Sequence, residues 1–125
     1  MPVTLSGGCL CGAIRFTAQR PTPAHTCSCA ICQKHTGGQT LTWVEFAAED
    51  VRWTGEGGAP ATYRSSEASC RAFCPRCGSS LGAIDDEPRI ALLTGVIDQP
   101  GAADLQPVSH SFTDGKPDWW RKLCS

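Results

Sequence analysis

Nine cysteines in 125 residues, seven of them gathered into three short clusters, constrain this chain more than any other feature. They fall as Cys9-x-Cys11, Cys27-x-Cys29-x-x-Cys32 and Cys74-x-x-Cys77, with Cys70 and Cys124 standing apart. An odd number of cysteines cannot be used up in disulfides. The opening Met1-Pro2-Val3-Thr4-Leu5 shows no basic stretch and no long apolar run, and no segment reads as an apolar helix long enough to span a bilayer. The expectation is a cytoplasmic protein with no membrane partner, in a reducing compartment where clustered cysteines are metal ligands. The competing reading is a secreted, disulfide-rich domain with one spare thiol.

Zinc prefers four ligands in a tetrahedron, and two cysteines separated by two residues can turn both sulfurs onto one ion. Cys74-Pro75-Arg76-Cys77-Gly78 is a strong signal of this kind: the proline sets the turn and the glycine relieves the backbone after it. Cys-x-Cys is weaker alone, because strand alternation also puts both side chains on one face. A single Cys-x-x-Cys reads equally as a redox pair, but three clusters in so short a chain point to two zinc ions. Seven thiolates fall one short of two complete four-sulfur sites, so one site is expected to be closed and the other to lack one protein ligand. Spacing leaves the pairing open. Cys29 and Cys32 could combine with Cys74 and Cys77, or Cys9 and Cys11 could do so, leaving Cys27, Cys29 and Cys32 on one loop. That second arrangement is the one a catalytic zinc, with an open fourth position, requires.

Length suits one domain over 1–125. Thirteen glycines and nine prolines favour short strands and turns over a helix bundle. Strands are expected over 10–17, after a Gly7-Gly8 turn, and over 40–46. Segments 51–54 and 61–65 read as a hairpin, 69–73 as a strand, and 80–84 with 89–96 as a second strand pair. The stretch 27–36 reads as a short helical turn ended by Gly37-Gly38. The fold class is mainly β, its small core helped by metal crosslinks. The formal charge of −1 carries no basic excess, and seven thiolates with two zinc ions would take it to about −4, so nucleic acid is not an expected partner.

Gly8-Cys9-Leu10-Cys11-Gly12-Ala13-Ile14-Arg15-Phe16, the loop His25-Thr26-Cys27-Ser28-Cys29-Ala30-Ile31-Cys32-Gln33-Lys34, and Arg71-Ala72-Phe73-Cys74-Pro75-Arg76-Cys77-Gly78-Ser79 together resemble the glutathione-dependent formaldehyde-activating enzyme family, which also includes centromere protein V. The His110 to Trp119 stretch, with Lys116, is similar to that family's C-terminal pattern, so the likeness runs over nearly the whole chain. The resemblance implies short antiparallel sheets in a tent-like arrangement. It implies a structural zinc on Cys9, Cys11, Cys74 and Cys77 and a functional zinc on Cys27, Cys29 and Cys32. It also implies carbon–sulfur lyase-type chemistry on a thiol adduct such as S-hydroxymethylglutathione. Cys70 and the ending Lys122-Leu123-Cys124-Ser125 depart from the family pattern.

An ion held by three thiolates is a weak activator of water but takes a soft fourth ligand readily, and a small thiol such as glutathione is an apt one. Glutathione's carboxylates call for cations, and Lys34, Arg64, Arg71 and Lys116 are the candidates, with Trp119 as a possible pocket edge. His25 and His35 flank the open site in sequence, as base, ligand or ordinary structural side chains. The alternative to an enzyme is a thiol carrier or a zinc-stapled binding module without turnover.

Overall fold

The computed structural model describes residues 4–123. The strands are β1 (Thr4–Gly8), β2 (Arg15–Gln19), β3 (His25–Cys27), β4 (Leu41–Ala47), β5 (Val51–Trp53), β6 (Ala61–Arg64), β7 (Ser69–Phe73), β8 (Ser80–Asp85), β9 (Arg89–Leu93) and β10 (Ser109–Ser111). Two short helices, α1 (Ala30–Thr36) and α2 (Asp118–Leu123), complete the main elements. β1, β2 and β5 form a three-stranded sheet, and the rest form a seven-stranded sheet in the order β10-β3-β4-β9-β8-β7-β6. The mainly β expectation holds.

Alternation explains how the sheets meet. Leu5, Phe16 and Ala18 project from one face of the small sheet and Val44, Phe46, Ile90 and Leu92 from the large one, and these side chains form one buried cluster. A second cluster joins Cys9, Ala13 and Ile14 of the β1–β2 connection to Ala72, Cys74 and Leu81. The β1–β2 turn is thereby packed on the β7–β8 turn. Among the described residues no helix is long and apolar enough to cross a membrane.

Several local expectations are corrected. The strand expected over 10–17 begins only at Arg15, and Gly7-Gly8 lies inside β1 rather than in a turn. Residues 9–14 form the loop, closed by the Cys9 N–H donating to the Ile14 carbonyl at 3.0 Å. Leu10, whose apolar side chain suggested strand alternation, is 91% exposed. The 51–54 and 61–65 segments are not a hairpin. β5 pairs with β2 and β6 with β7, so the chain between them crosses from one sheet to the other. Trp53 stacks edge-on against Phe16, and the Thr54 and Gly57 N–H groups bond to Arg15 and Ala13, which holds β5 on the small sheet. The strand expected over 89–96 ends at Leu93 in a 3-10 turn, while the antiparallel β8–β9 pair is present. The sheets are not wholly antiparallel, because β10 runs parallel to β3.

Candidate metal centres

Two groups of sulfur atoms come together, each with every Sγ within 4.8 Å of the others: Cys9, Cys11, Cys74 and Cys77, and separately Cys27, Cys29 and Cys32. In the first group the β1–β2 loop and the β7–β8 turn each contribute two sulfurs. Cys9 and Cys11 Sγ lie 3.6 Å apart, and Cys11 and Cys74 Sγ 3.8 Å. Sulfurs about 2.3 Å from one tetrahedral zinc sit about 3.8 Å from each other, whereas a disulfide requires about 2 Å. The donor set therefore fits a tetrahedral thiolate metal site and not a disulfide. Backbone N–H groups point at the sulfurs as thiolates require: Ile14 donates to Cys9 at 3.3 Å, and Arg76 and Cys77 donate to Cys74 at 3.4 Å each. Gly78, with φ of 80°, lets the turn close through its N–H onto the Cys74 carbonyl at 2.8 Å. Hydrogen bonds from the Ser79 hydroxyl and amide hold the Cys77 thiol down at about 5.

The second group is built by α1 and the strand before it. Cys27 ends β3, Cys29 caps the helix and accepts from the Cys32 N–H at 3.4 Å, and Cys32 is the buried residue of the helix. Burial, with the sulfurs of Cys29 and then Cys27 beside it, pushes the Cys32 thiol up to about 12. Cys29 is lowered. Burial acts against ionisation there, but the Cys32 N–H and the neighbouring thiols outweigh it. Three crowded sulfurs cannot all ionise unaided, and a divalent cation removes that conflict. Among the described residues no fourth Cys, His, Asp or Glu joins this group.

Two hollows border it, and a third lies nearby, sharing Ala30, Ile31 and Arg71 with them. One of about 160 Å³ is lined by Cys27, Cys32, His25, Trp43, Glu45 and Arg71. One of about 510 Å³ is lined by Cys29, Ala30, Ile31, Gln33 and Phe112 among others. A third, of about 370 Å³, lies between α1 and the β6–β7 pair. The C-terminal segment closes over the cysteine loop: Ser28 N–H donates to Ser111 O at 3.1 Å, and Gln33 Nε2 to Gly115 O at 3.0 Å. Gly115 passes so near that a Cβ there would stand 2.1 Å from the Ser28 carbonyl oxygen.

The candidate cations separate on the structure. Arg71 reaches the three-sulfur group, with Nη1 and Nη2 at 3.8 and 3.9 Å from Cys32 Sγ and its guanidinium 5.3 Å from the Trp43 ring centroid. Lys34 lines the 370 Å³ hollow with Arg71. Lys116 follows Gly115 at the edge of the closing segment. Arg64 is engaged elsewhere: it grips Asp86 through two 2.9 Å bonds, while its neighbours Tyr63 and Ser65 line the hollow. Trp119 is exposed and stacks edge-on against Trp120 at 6.0 Å. His35 also lines the 370 Å³ hollow; burial and then the Arg71 charge hold its imidazole below its usual value. Cys70 lies in β7 and belongs to neither group, and Cys124 is outside the described residues. Sequence reasoning missed Trp43 and Phe112. Each becomes relevant only once strands distant in sequence lie beside the cysteine loop.

A family model described as "Glutathione-dependent formaldehyde-activating enzyme" matches residues 4–115. A Halomonas elongata protein named "Putative glutathione-dependent formaldehyde-activating enzyme" is 30% identical over 126 aligned positions, covering 92% of this chain and 78% of that protein. A crystal structure of a Rhodobacter sphaeroides protein is similar in fold, with a TM-score of 0.65 at 18% identity over 84% of this chain and 98% of the other.

Proposed function

Since this chain belongs to the glutathione-dependent formaldehyde-activating enzyme family, we propose that it performs zinc-dependent carbon–sulfur chemistry, joining glutathione to an aldehyde and cleaving the adduct in the lyase direction. In this reading Cys9, Cys11, Cys74 and Cys77 hold a structural zinc, and Cys27, Cys29 and Cys32 hold a second with one position open. The observation that carries the reading is the three-sulfur group, lacking a fourth side-chain ligand among the described residues and bordered by hollows that a ligand could enter. Zinc bound there would favour the thiolate over the thiol form of an incoming sulfur at neutral pH.

The chain's own residues supply the rest. Arg71 sets a positive charge against Cys32, which offsets the net −1 of three thiolates around a divalent ion. Lys34, Arg71 and Lys116 are the cations for glutathione's carboxylates, which Arg binds through paired hydrogen bonds. The segment closing from Ser109 to Lys116 shields the cysteine loop from water and holds the thiol near the aldehyde carbon. The carbon–sulfur bond forms as the carbonyl electron pair moves onto oxygen, and that oxygen takes up the proton the thiol gave. His25, beside Cys27 and Cys32 in the smallest hollow, is the side chain we assign to carrying that proton.

The test is exchange between glutathione and S-hydroxymethylglutathione, followed by exchange NMR on reduced, zinc-replete protein. Two zinc ions per chain and exchange well above the uncatalysed rate are expected. Glutathione binding that alters only one zinc environment, without faster exchange, would establish the carrier alternative. Absence of both binding and exchange would sink the proposal. Arg71→Leu is expected to weaken the second zinc about 10- to 100-fold, as lost outer partners of metal ligands do, read by competition with a chelator. Unchanged affinity would remove Arg71 from that role.

A further inference from the structure

The walls around the three-sulfur group are better suited to hydrocarbon than to the two heavy atoms of formaldehyde. The 510 Å³ hollow that Cys29 lines has mainly apolar walls, from Ala30, Ile31 and Phe112, with Ser28, Gln33 and Asp114 supplying its polar edge. Ala30 and Ile31 also wall the 370 Å³ hollow, which continues to Tyr63 and Phe73, so the two hollows flank one apolar ridge on α1. From the other side, Arg71 borders both the 370 Å³ hollow and the one that Cys27 and Cys32 line. Ile31 and Phe112 are exposed, at 42% and 64%, and exposed apolar side chains on the walls of one hollow mark a binding surface. A closed cavity of about 150 Å³ already accommodates benzene.

Phe112 adds an independent observation. Its φ is 54°, the left-handed region that a bulky residue adopts only under constraint. Neighbouring contacts hold it there: Ser111 O accepts from Ser28 and Phe112 O from Gly115. With this backbone, an exposed aromatic ring stands on the wall of the hollow that Cys29 lines.

We propose that the hollow beside Cys29, between Phe112 and Ile31, is a subsite for the apolar group of an alkyl or aryl aldehyde, so that the preferred adduct is a glutathione hemithioacetal larger than S-hydroxymethylglutathione. The inference rests on the carbon–sulfur reading above and extends it to the substrate class. The chemistry is unchanged and balanced: the thiol sulfur bonds to the aldehyde carbon, the carbonyl pair goes to oxygen, and the thiol proton ends on that oxygen. Burying the aldehyde's hydrocarbon group removes apolar surface from water on both sides.

The experiment compares formaldehyde, hexanal and phenylacetaldehyde with glutathione on zinc-replete full chain, each as catalysed exchange relative to its own uncatalysed rate. The expected result is at least about a tenfold preference in kcat/KM for the apolar aldehydes, the scale on which hydrophobic pockets discriminate. Phe112→Asn keeps a residue tolerant of positive φ while deleting the ring, and Ile31→Ala trims the facing wall while keeping a good helix former in α1. Each is expected to cut the preference at least about threefold with zinc content unchanged. Equal acceleration of all three aldehydes, or of formaldehyde alone, overturns this inference and leaves the carbon–sulfur reading standing. A preference that survives both substitutions overturns the placement of the subsite. No acceleration with any aldehyde, in protein carrying two zinc ions, overturns the underlying reading and this one with it.

Discussion

Replacing Cys74 with serine is expected to abolish cooperative folding, leaving protein that is insoluble or without a melting transition. Cys74 is fully buried, accepts two backbone N–H bonds, and packs with Ile14, Ala72 and Leu81. Its group ties the β1–β2 loop of the small sheet to the β7–β8 turn of the large one, across a separation of 63 residues between Cys11 and Cys74. Closing a loop of that length is worth about 4 kcal/mol in chain entropy alone. Structural zinc in small peptides contributes about 10–16 kcal/mol of apparent binding free energy to folding. Whole-domain stabilities are about 5–15 kcal/mol, so losing this ion removes as much as the fold has to spare. Zinc content and thermal unfolding check the result. Cys70→Ser serves as the control, because Cys70 lies four residues away and outside both groups. A Cys74→Ser protein with two zinc ions and an unshifted transition would show that the four-sulfur group has no structural role.

Cys29→Ser should have the opposite signature: one zinc ion lost, the fold kept, and thiol binding abolished. Serine is a good helix cap, so its hydroxyl replaces the sulfur that accepts from the Cys32 N–H and the start of α1 is preserved. What the substitution removes is a soft thiolate from a site that has only three. The group spans six residues of one loop, so its ion crosslinks no distant parts of the chain and its loss costs little chain entropy. A zinc stoichiometry near one, a melting shift of a few degrees and no detectable glutathione binding are expected. Unfolding as severe as that of Cys74→Ser would erase the division into structural and functional sites. Two retained ions with normal thiol binding would remove the loop from function.

The contrast between those variants also shows which features are local and which are not. Two sulfurs separated by two residues meet through the turn between them, so Cys74-Pro75-Arg76-Cys77-Gly78 declares itself in sequence, including the glycine that takes φ of 80°. The β8–β9 pair and the short helix after Cys27 are legible for the same reason: their partners are a few residues away. The grouping of Cys9 and Cys11 with Cys74 and Cys77 is not. Spacing left two arrangements open, resemblance chose between them, and the structure brings the sulfurs together by packing one sheet's turn on the other's.

Where partners are distant, local pattern misleads. Val51 to Thr54 and Ala61 to Ser65 look like two arms of a hairpin, yet Trp53 finds Phe16 and Tyr63 finds Arg71, in different sheets. The parallel pairing of β10 with β3 joins residues 84 apart and has no signature in either segment alone. As cations for a carboxylate, Arg71 and Arg64 are offered together by the sequence, although only Arg71 lies in a segment that carries the family resemblance. Tertiary placement sets one against Cys32, 39 residues away, and commits the other to Asp86. Local sequence therefore determined the ligand turns and the β character of this chain, because backbone geometry over a few residues decides both. The choice of strand partners, the charge beside the three-sulfur group and the left-handed backbone of Phe112 at its edge were decided only by tertiary pairing and packing, which draw together residues that no short-range rule connects.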